Sequence, residues 1–180
     1  MKLNLFREYQ SILMRPKMPV YLLGVFIVTL VQQTTGLIVL WGFIEASNNS
    51  ASLVSLFTFA GMSPYIVFAK WAGILSRKRY PGVSLLILHI LIGIVIFVGA
   101  LYLHFFGESL YGWFVLSLLI NVMLTFQSPP YRAFLRYMIS ADNIGTANSL
   151  YELTRRLGFI CGPAVVGVTA PFFSLPMLLV

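Results

Sequence analysis

Five apolar runs, each close to the length needed to cross a lipid bilayer, dominate this sequence: Val20–Ile44, Leu53–Leu75, Val83–Leu103, Leu110–Phe126 and Thr146–Val168. A bilayer core takes about 20 apolar residues per helix. In hydrocarbon, backbone N–H and C=O groups must be satisfied within the protein, so such runs fold as α-helices. The expected fold class is an all-α membrane protein, an antiparallel transmembrane helix bundle. A sixth run starts at Pro171 and stops at Val180. A helix of that length rises only about 15 Å, half the hydrocarbon thickness. The expected architecture is therefore five full spans plus the start of a sixth, and the sequence reads as a fragment.

Composition points the same way. The chain is 59% hydrophobic and 9% charged, whereas soluble domains are roughly 45–50% apolar and about 25% charged. The apolar surplus is spread along the whole length, which excludes a soluble protein with one anchor. The net charge of +7 would suggest nucleic-acid binding in a soluble chain. Here the basic residues lie mainly in short segments between apolar runs, so topology accounts for them and no nucleic-acid partner is expected. The first run is longer than the apolar region of a signal peptide and ends without a clear cleavage site, so it reads as a retained span. The single cysteine, Cys161, can form no intrachain disulfide.

The charges also orient the chain. Lys2, Arg7, Arg15 and Lys17 precede the first run. Arg77, Lys78 and Arg79 join the second to the third, with Lys70 near the helix end, and Arg132 and Arg136 lie between the fourth and fifth. The alternate connections, Glu45–Ser52, His104–Ser109 and Thr169–Pro171, hold no Lys or Arg. The positive-inside rule places the N-terminus in the cytoplasm. Short connections favour antiparallel neighbours and leave no room for a soluble catalytic domain. Asn48 begins an Asn-Asn-Ser sequon in the first outward loop, which reads as a polar turn.

No enzyme site is visible, and no catalytic residue, metal ligand or cofactor is expected. His89 and His104 are isolated, no nucleophile constellation occurs, and no glycine-rich loop could cradle a phosphate. His89, inside the third run, is either a proton relay or a packed histidine bonded to a neighbour. Gln32, Gln33, Thr34 and Thr35 lie at mid-depth in the first run. Consecutive polar residues cover more than one helix face, so part of the set must face the bundle or a cavity. They either bond substrate or join helices. In the fourth segment Pro129 and Pro130 predict a break or kink. Beyond them, Arg132 and Arg136 are one turn apart and serve as positive-inside anchors, an inward gate or a hold on anionic headgroups.

The fifth run carries the most demanding pattern. Glu152 stands three and four residues before Arg155 and Arg156, so either arginine can pair with it. A charge in hydrocarbon costs about 2.5–3.5 kcal/mol even on lenient scales, so Glu152 and at least one arginine are expected to face the bundle interior. Gly158 and Gly162 form a G-x-x-x-G step for close backbone contact. Pro163 bends the helix, and Gly167 extends the small-residue pattern.

These residues resemble the N-terminal half of a major facilitator superfamily transporter, and the resemblance covers almost the whole chain. Gly158, Gly162, Pro163 and Gly167 are similar to the antiporter signature of the drug-exporting branch, with Val166 in place of one glycine. Gly73, Leu75 and the positive charges Arg77, Lys78 and Arg79 resemble the family's basic cytoplasmic loop, with its acidic residue absent. The segments FQSPPYRA and ANSLYELTRRLG resemble macrolide and siderophore exporters, and an arginine often found in the fourth helix falls at or near Asn121.

The resemblance implies two six-helix halves rocking about a central site, of which residues 1–180 are part of the first. It implies efflux of amphiphilic small molecules, such as drugs or siderophores, by proton antiport across the plasma membrane, the inner membrane if the source is bacterial. The implied partners are the lipid bilayer, a small-molecule substrate, protons and the missing C-terminal half in the same or another chain. Gln32, Gln33 and Asn121 are then substrate-pathway candidates. Glu152, Arg155, Arg156, Gly158, Gly162, Pro163 and Gly167 are candidates for coupling or gating. Two rival readings are a nutrient uptake permease of the same fold, and a non-transporting half-size subunit or remnant.

Overall fold

The first apolar run forms one uninterrupted helix of 29 residues, Met18–Ala46 (α2). It follows a shorter helix, Lys2–Leu13 (α1), that hydropathy alone does not announce. The computed structural model describes residues 2–76 and 80–179, with side chains over 8–75 and 80–179. The chain is 87% helical, with no strand among the described residues. Arg77, Lys78 and Arg79, the charged part of the expected cytoplasmic loop, lie outside the described residues.

α2 opens with Pro19 in its first turn, where a missing N–H costs no helix bond. It closes through Asn48 and Asn49, at φ 52° and 59°. Their N–H groups donate to Glu45 O and Ile44 O, both at 3.0 Å. This pair of bonds satisfies carbonyls that the helix end leaves open, and asparagine tolerates the left-handed conformation better than most residues. The sequon asparagine thus has a helix-closing role.

The second run is not one straight helix. It divides into α3 (Ala51–Val67) and α4 (Ala69–Ser76), bent by 49°. Phe68 sits at the break with φ −97° and ψ 3°, and its N–H donates to Pro64 O. Its ring lies 5.9 Å from both Trp71 and Phe126. The third run is α5 (Pro81–Phe106), with Pro81 at its start and Gly107 at φ 92° just past its end.

The fourth run also differs from expectation. α6 spans Leu110–Met138 and continues through Pro129 and Pro130. The double proline does not end it, and Arg132 and Arg136 lie on the helix, exposed, instead of in a connection. Pro130 is among the most buried side chains, which helps hold a segment whose local propensity is poor. After a short 3-10 turn, α7 spans Ile144–Thr169 with Pro163 inside it. The sixth run does not begin as a span. Residues 170–176 are turns and coil, and a 3-10 turn at Met177–Leu179 packs on α5.

Among the described residues three helices, α2, α5 and α6, are long and apolar enough to cross a membrane, and a fourth crossing follows if α3 and α4 form one broken span. α5 shows why: Ile87, Ile90, Ile94 and Val98 are at least half exposed, an apolar surface suited to lipid and not to water. α7, with its three charges, is not among these helices.

The chain divides into two compact units. The first joins Met1–Thr34 with Phe134–Gly167, the second Thr35–Ala133 with Val168–Val180. In the first, Ile12, Met18, Val25, Leu135, Tyr151 and Val166 are buried, and Tyr21 meets Phe134 at a tilt at 5.7 Å and stacks with Tyr151 at 6.3 Å. In the second, Phe43 and Phe57 stack at 4.1 Å. The fully buried Trp113 lies against Gly42, where any Cβ would collide with its ring.

Candidate functional site

In the second unit, α2, α3 and α6 enclose a cavity of about 240 Å³. Its polar lining comes from Thr58, Ser117 and Asn121, and Gly36 and Gly61 contribute walls without side chains. Asn121 Nδ2 donates to Ser117 O at 2.9 Å and to Ser117 Oγ at 3.4 Å. A backbone carbonyl only accepts, so the amide nitrogen must face it, which fixes the amide's orientation. Asn121 Oδ1 remains available as an acceptor. Thr58 Oγ1 donates to Val54 O at 2.9 Å, which leaves its lone pairs for a visitor. Thr125, one turn beyond Asn121, donates to Asn121 O at 2.8 Å. Ser117, Asn121 and Thr125 thus form a polar stripe at helical spacing along an otherwise apolar helix.

A second polar cluster in this unit joins α5 to α6. His89 Nδ1 lies 2.6 Å from Leu85 O and so donates to it. Nε2 then accepts from the Gln127 amide at 3.0 Å, and the Tyr131 hydroxyl lies 2.8 Å from the same nitrogen. Gln127 is buried at 3% exposure. His89 is therefore a packed, hydrogen-bonded side chain. The sequence pointed to His89 but to neither partner, because they lie 38 and 42 residues away.

In the first unit, Gly158 and Gly162 bring α7 against α2. A Cβ on Gly158 would stand 2.9 Å from Phe26 O, and one on Gly162 would stand 2.5 Å from Gln33 Cβ and 3.0 Å from Leu30 O. Real Cβ atoms essentially never come that close, so only glycine permits this approach. Thr34 Oγ1 donates to Gly162 O at 3.3 Å across the same contact. Within the polar quartet, then, Gln33 and Thr34 lie on α7, Gln32 is half-buried, and Thr35 is buried. Gln32 and Gln33 belong to the first unit and Asn121 to the second.

The rest of the expected small-residue pattern does not join this contact. Gly167 and Pro163 are exposed, and a Cβ on Gly167 would meet nothing within 4 Å. Helical geometry explains this, because nine residues at 3.6 per turn place position 167 opposite position 158. A Cβ on Gly73 would likewise meet nothing within 4 Å.

The charges of α7 depart from expectation as well. Arg155 Nη1 and Glu152 Oε1 pair at 3.7 Å, with side chains 41% and 44% exposed. Arg156 is exposed. None of the three is buried within its unit. The buried stripe of α7 is Ala147, Leu150, Tyr151, Gly158, Gly162 and Val166. Arg155 falls on that stripe and is partly covered, with its guanidinium 5.9 Å from the Tyr151 ring centre.

Outside the spans, Glu108 follows α5. Burial first, and then the Glu45 carboxylate, hold its pKa above the ordinary carboxylate value. Among the described residues no group of three or more His, Cys, Asp and Glu side chains is arranged to hold a metal ion. Compared with protein-family models, curated proteins and solved structures, the chain matches none.

Proposed function

We propose that this chain is the N-terminal part of a secondary membrane transporter of the major facilitator type, which expels amphiphilic small molecules such as drugs or siderophores by proton antiport. The observation that carries the reading is the Asn121 cavity. It offers fixed polar groups on helices that otherwise suit lipid, and polar groups at membrane depth mark substrate or ion pathways. At about 240 Å³ it is smaller than a typical ligand pocket of roughly 300–1,000 Å³, as befits one wall of a larger site. The glycine contact between α2 and α7 supports the same reading, since it makes a stiff unit of the kind that rocks in alternating access.

In this proposal α2, the α3–α4 pair, α5, α6 and α7 are five antiparallel crossings of the plasma membrane. The N-terminus lies in the cytoplasm, as the basic segments require. Half-exposed Glu152 and exposed Arg156 face a water-lined path or the C-terminal half, Arg155 holds Glu152 from the edge of the packed face, and Glu152 carries the coupling proton. The test is accumulation of a fluorescent cationic amphiphile in energised cells expressing the full-length parent. Expression should lower accumulation, collapse of the proton gradient should restore it, and Asn121→Leu should do the same. Raised accumulation would favour uptake, and no change would favour a non-transporting subunit. If Glu152→Gln leaves gradient-driven efflux intact, its coupling role is wrong.

A further inference from the structure

At one end of the first unit, the turn between α1 and α2 and the last residues of α6 enclose a cavity of about 350 Å³, with Arg15, Lys17, Met18, Tyr137 and Ile139 among its walls. The turn is held by bonds from Arg15 N to Ile12 O, Met18 N to Arg15 O and Tyr21 N to Lys17 O, at 3.0–3.1 Å. Beneath it Ile12, Met18 and Ile139 are buried at 0, 1 and 6% exposure. The scaffold is therefore packed, while Arg15 is only half-buried and Lys17 and Tyr137 are exposed.

The walls offer two cations and a phenol, and among the described residues no carboxylate lines the cavity. Among the described residues neither Arg15 nor Lys17 is paired with an acid. The N-terminus of α2, which begins at Met18, adds the positive end of a helix dipole. Such a site takes an anion. On the face of α2 turned away from Met18, Val20, Leu23 and Ile27 are exposed at 72, 59 and 50%, an apolar surface suited to lipid.

We infer that this cavity binds a phosphate group, carried by an anionic lipid of the membrane that the apolar face of α2 suits. Arg15 is suited to phosphate oxygens by its planar fork of donors, Lys17 acts as a point charge, and the Tyr137 hydroxyl can donate a third bond. Basic pockets at a membrane surface bind anionic headgroups in this way. The inference depends on membrane insertion but not on transport, so it can fail while the exporter reading stands.

The test is lipid retention by the purified chain in neutral detergent, measured by native mass spectrometry with phosphatidylglycerol or phosphatidylcholine added. Phosphatidylglycerol should be retained in preference, and Arg15→Gln and Lys17→Gln should each weaken retention about fivefold. Lys70→Gln, which removes an equal charge from α4 outside the cavity, should leave retention unchanged. Lipid-free unfolding midpoints of the variants should match the parent and exclude misfolding. A parallel arm adds inorganic phosphate without lipid: a midpoint rise that Arg15→Gln abolishes would support the phosphate site and assign it to a soluble source. Equal retention of both lipids with no phosphate effect, or equal losses in Lys70→Gln and Arg15→Gln, would overturn the inference.

Discussion

Glycine does opposite work in the two units. On α7, Gly158 and Gly162 remove a Cβ so that backbone can touch backbone, and an added methyl would lie 2.5–2.9 Å from its nearest neighbour on α2. Around the Asn121 cavity, Gly36 and Gly61 remove a Cβ and the space stays open. A methyl on Gly36 would meet nothing within 4 Å, and one on Gly61 would stand 3.5 Å from Asn121 Nδ2 and 3.7 Å from Ser117 Oγ. The first pair closes an interface and the second leaves room for a guest. A glycine motif therefore acquires meaning from what lies across from it.

Substitutions can break or sharpen this contrast. The largest effect is expected from Gly162→Leu, which overpacks the α2–α7 contact and should lower stability by about 1–3 kcal/mol in detergent unfolding titrations. Gly36→Leu should cost much less, and equal losses would erase the distinction between the two units. Next comes Gln127→Leu, which breaks a buried bond to His89. Intramembrane bonds average about 0.6 kcal/mol with a maximum near 1.7, and the same titration reads the loss. Gly61→Ala should not destabilise and should gain up to about 0.5–1 kcal/mol from helix propensity, since its methyl makes only ordinary contacts. It should nevertheless slow efflux by the full-length parent, because it narrows the cavity.

The smallest effect concerns pH. Glu108 holds its proton more tightly in the folded chain than an ordinary carboxyl does. Its favourable contribution is thus complete below the ordinary carboxylate pKa and is lost as pH rises through the raised one. The unfolding midpoint should be slightly higher in acid than at neutral pH, and Glu108→Gln should shrink that difference.

The sequence made α2, α5 and α7 legible because long apolar or strongly patterned runs determine helices directly. The run Val83–Leu103 lies within Pro81–Phe106, bounded by proline and glycine as the rules of helix termini require. The departures arise where tertiary packing overrides local propensity. Pro129 and Pro130 are poor helix formers, yet α6 continues through them. The break at Phe68 follows Pro64 by one turn and coincides with an aromatic cluster that includes Phe126, far along the chain. The residues of α1 are too polar to register as a membrane run.

The Asn121 cavity was only partly legible. Ser117, Asn121 and Thr125 at i, i+4 and i+8 were a readable polar stripe. Thr58, Gly36 and Gly61 come from two other helices, and nothing local joins them to Asn121. The charges of α7 were legible as a pair but not as half-exposed side chains, because the face α7 buries is chosen by its glycines.

The central claim is that Asn121 borders a wet, polar recess on a helix whose other face meets lipid. In a Cys161→Ala background, Asn121→Cys and Leu119→Cys can be treated in intact membranes with a water-soluble maleimide. Leu119 is 44% exposed on the same helix, and it lines a wholly different, apolar groove with Ile94 and Val98. Asn121→Cys should react readily and Leu119→Cys should resist. Fast reaction at Leu119→Cys with none at Asn121→Cys would contradict the account.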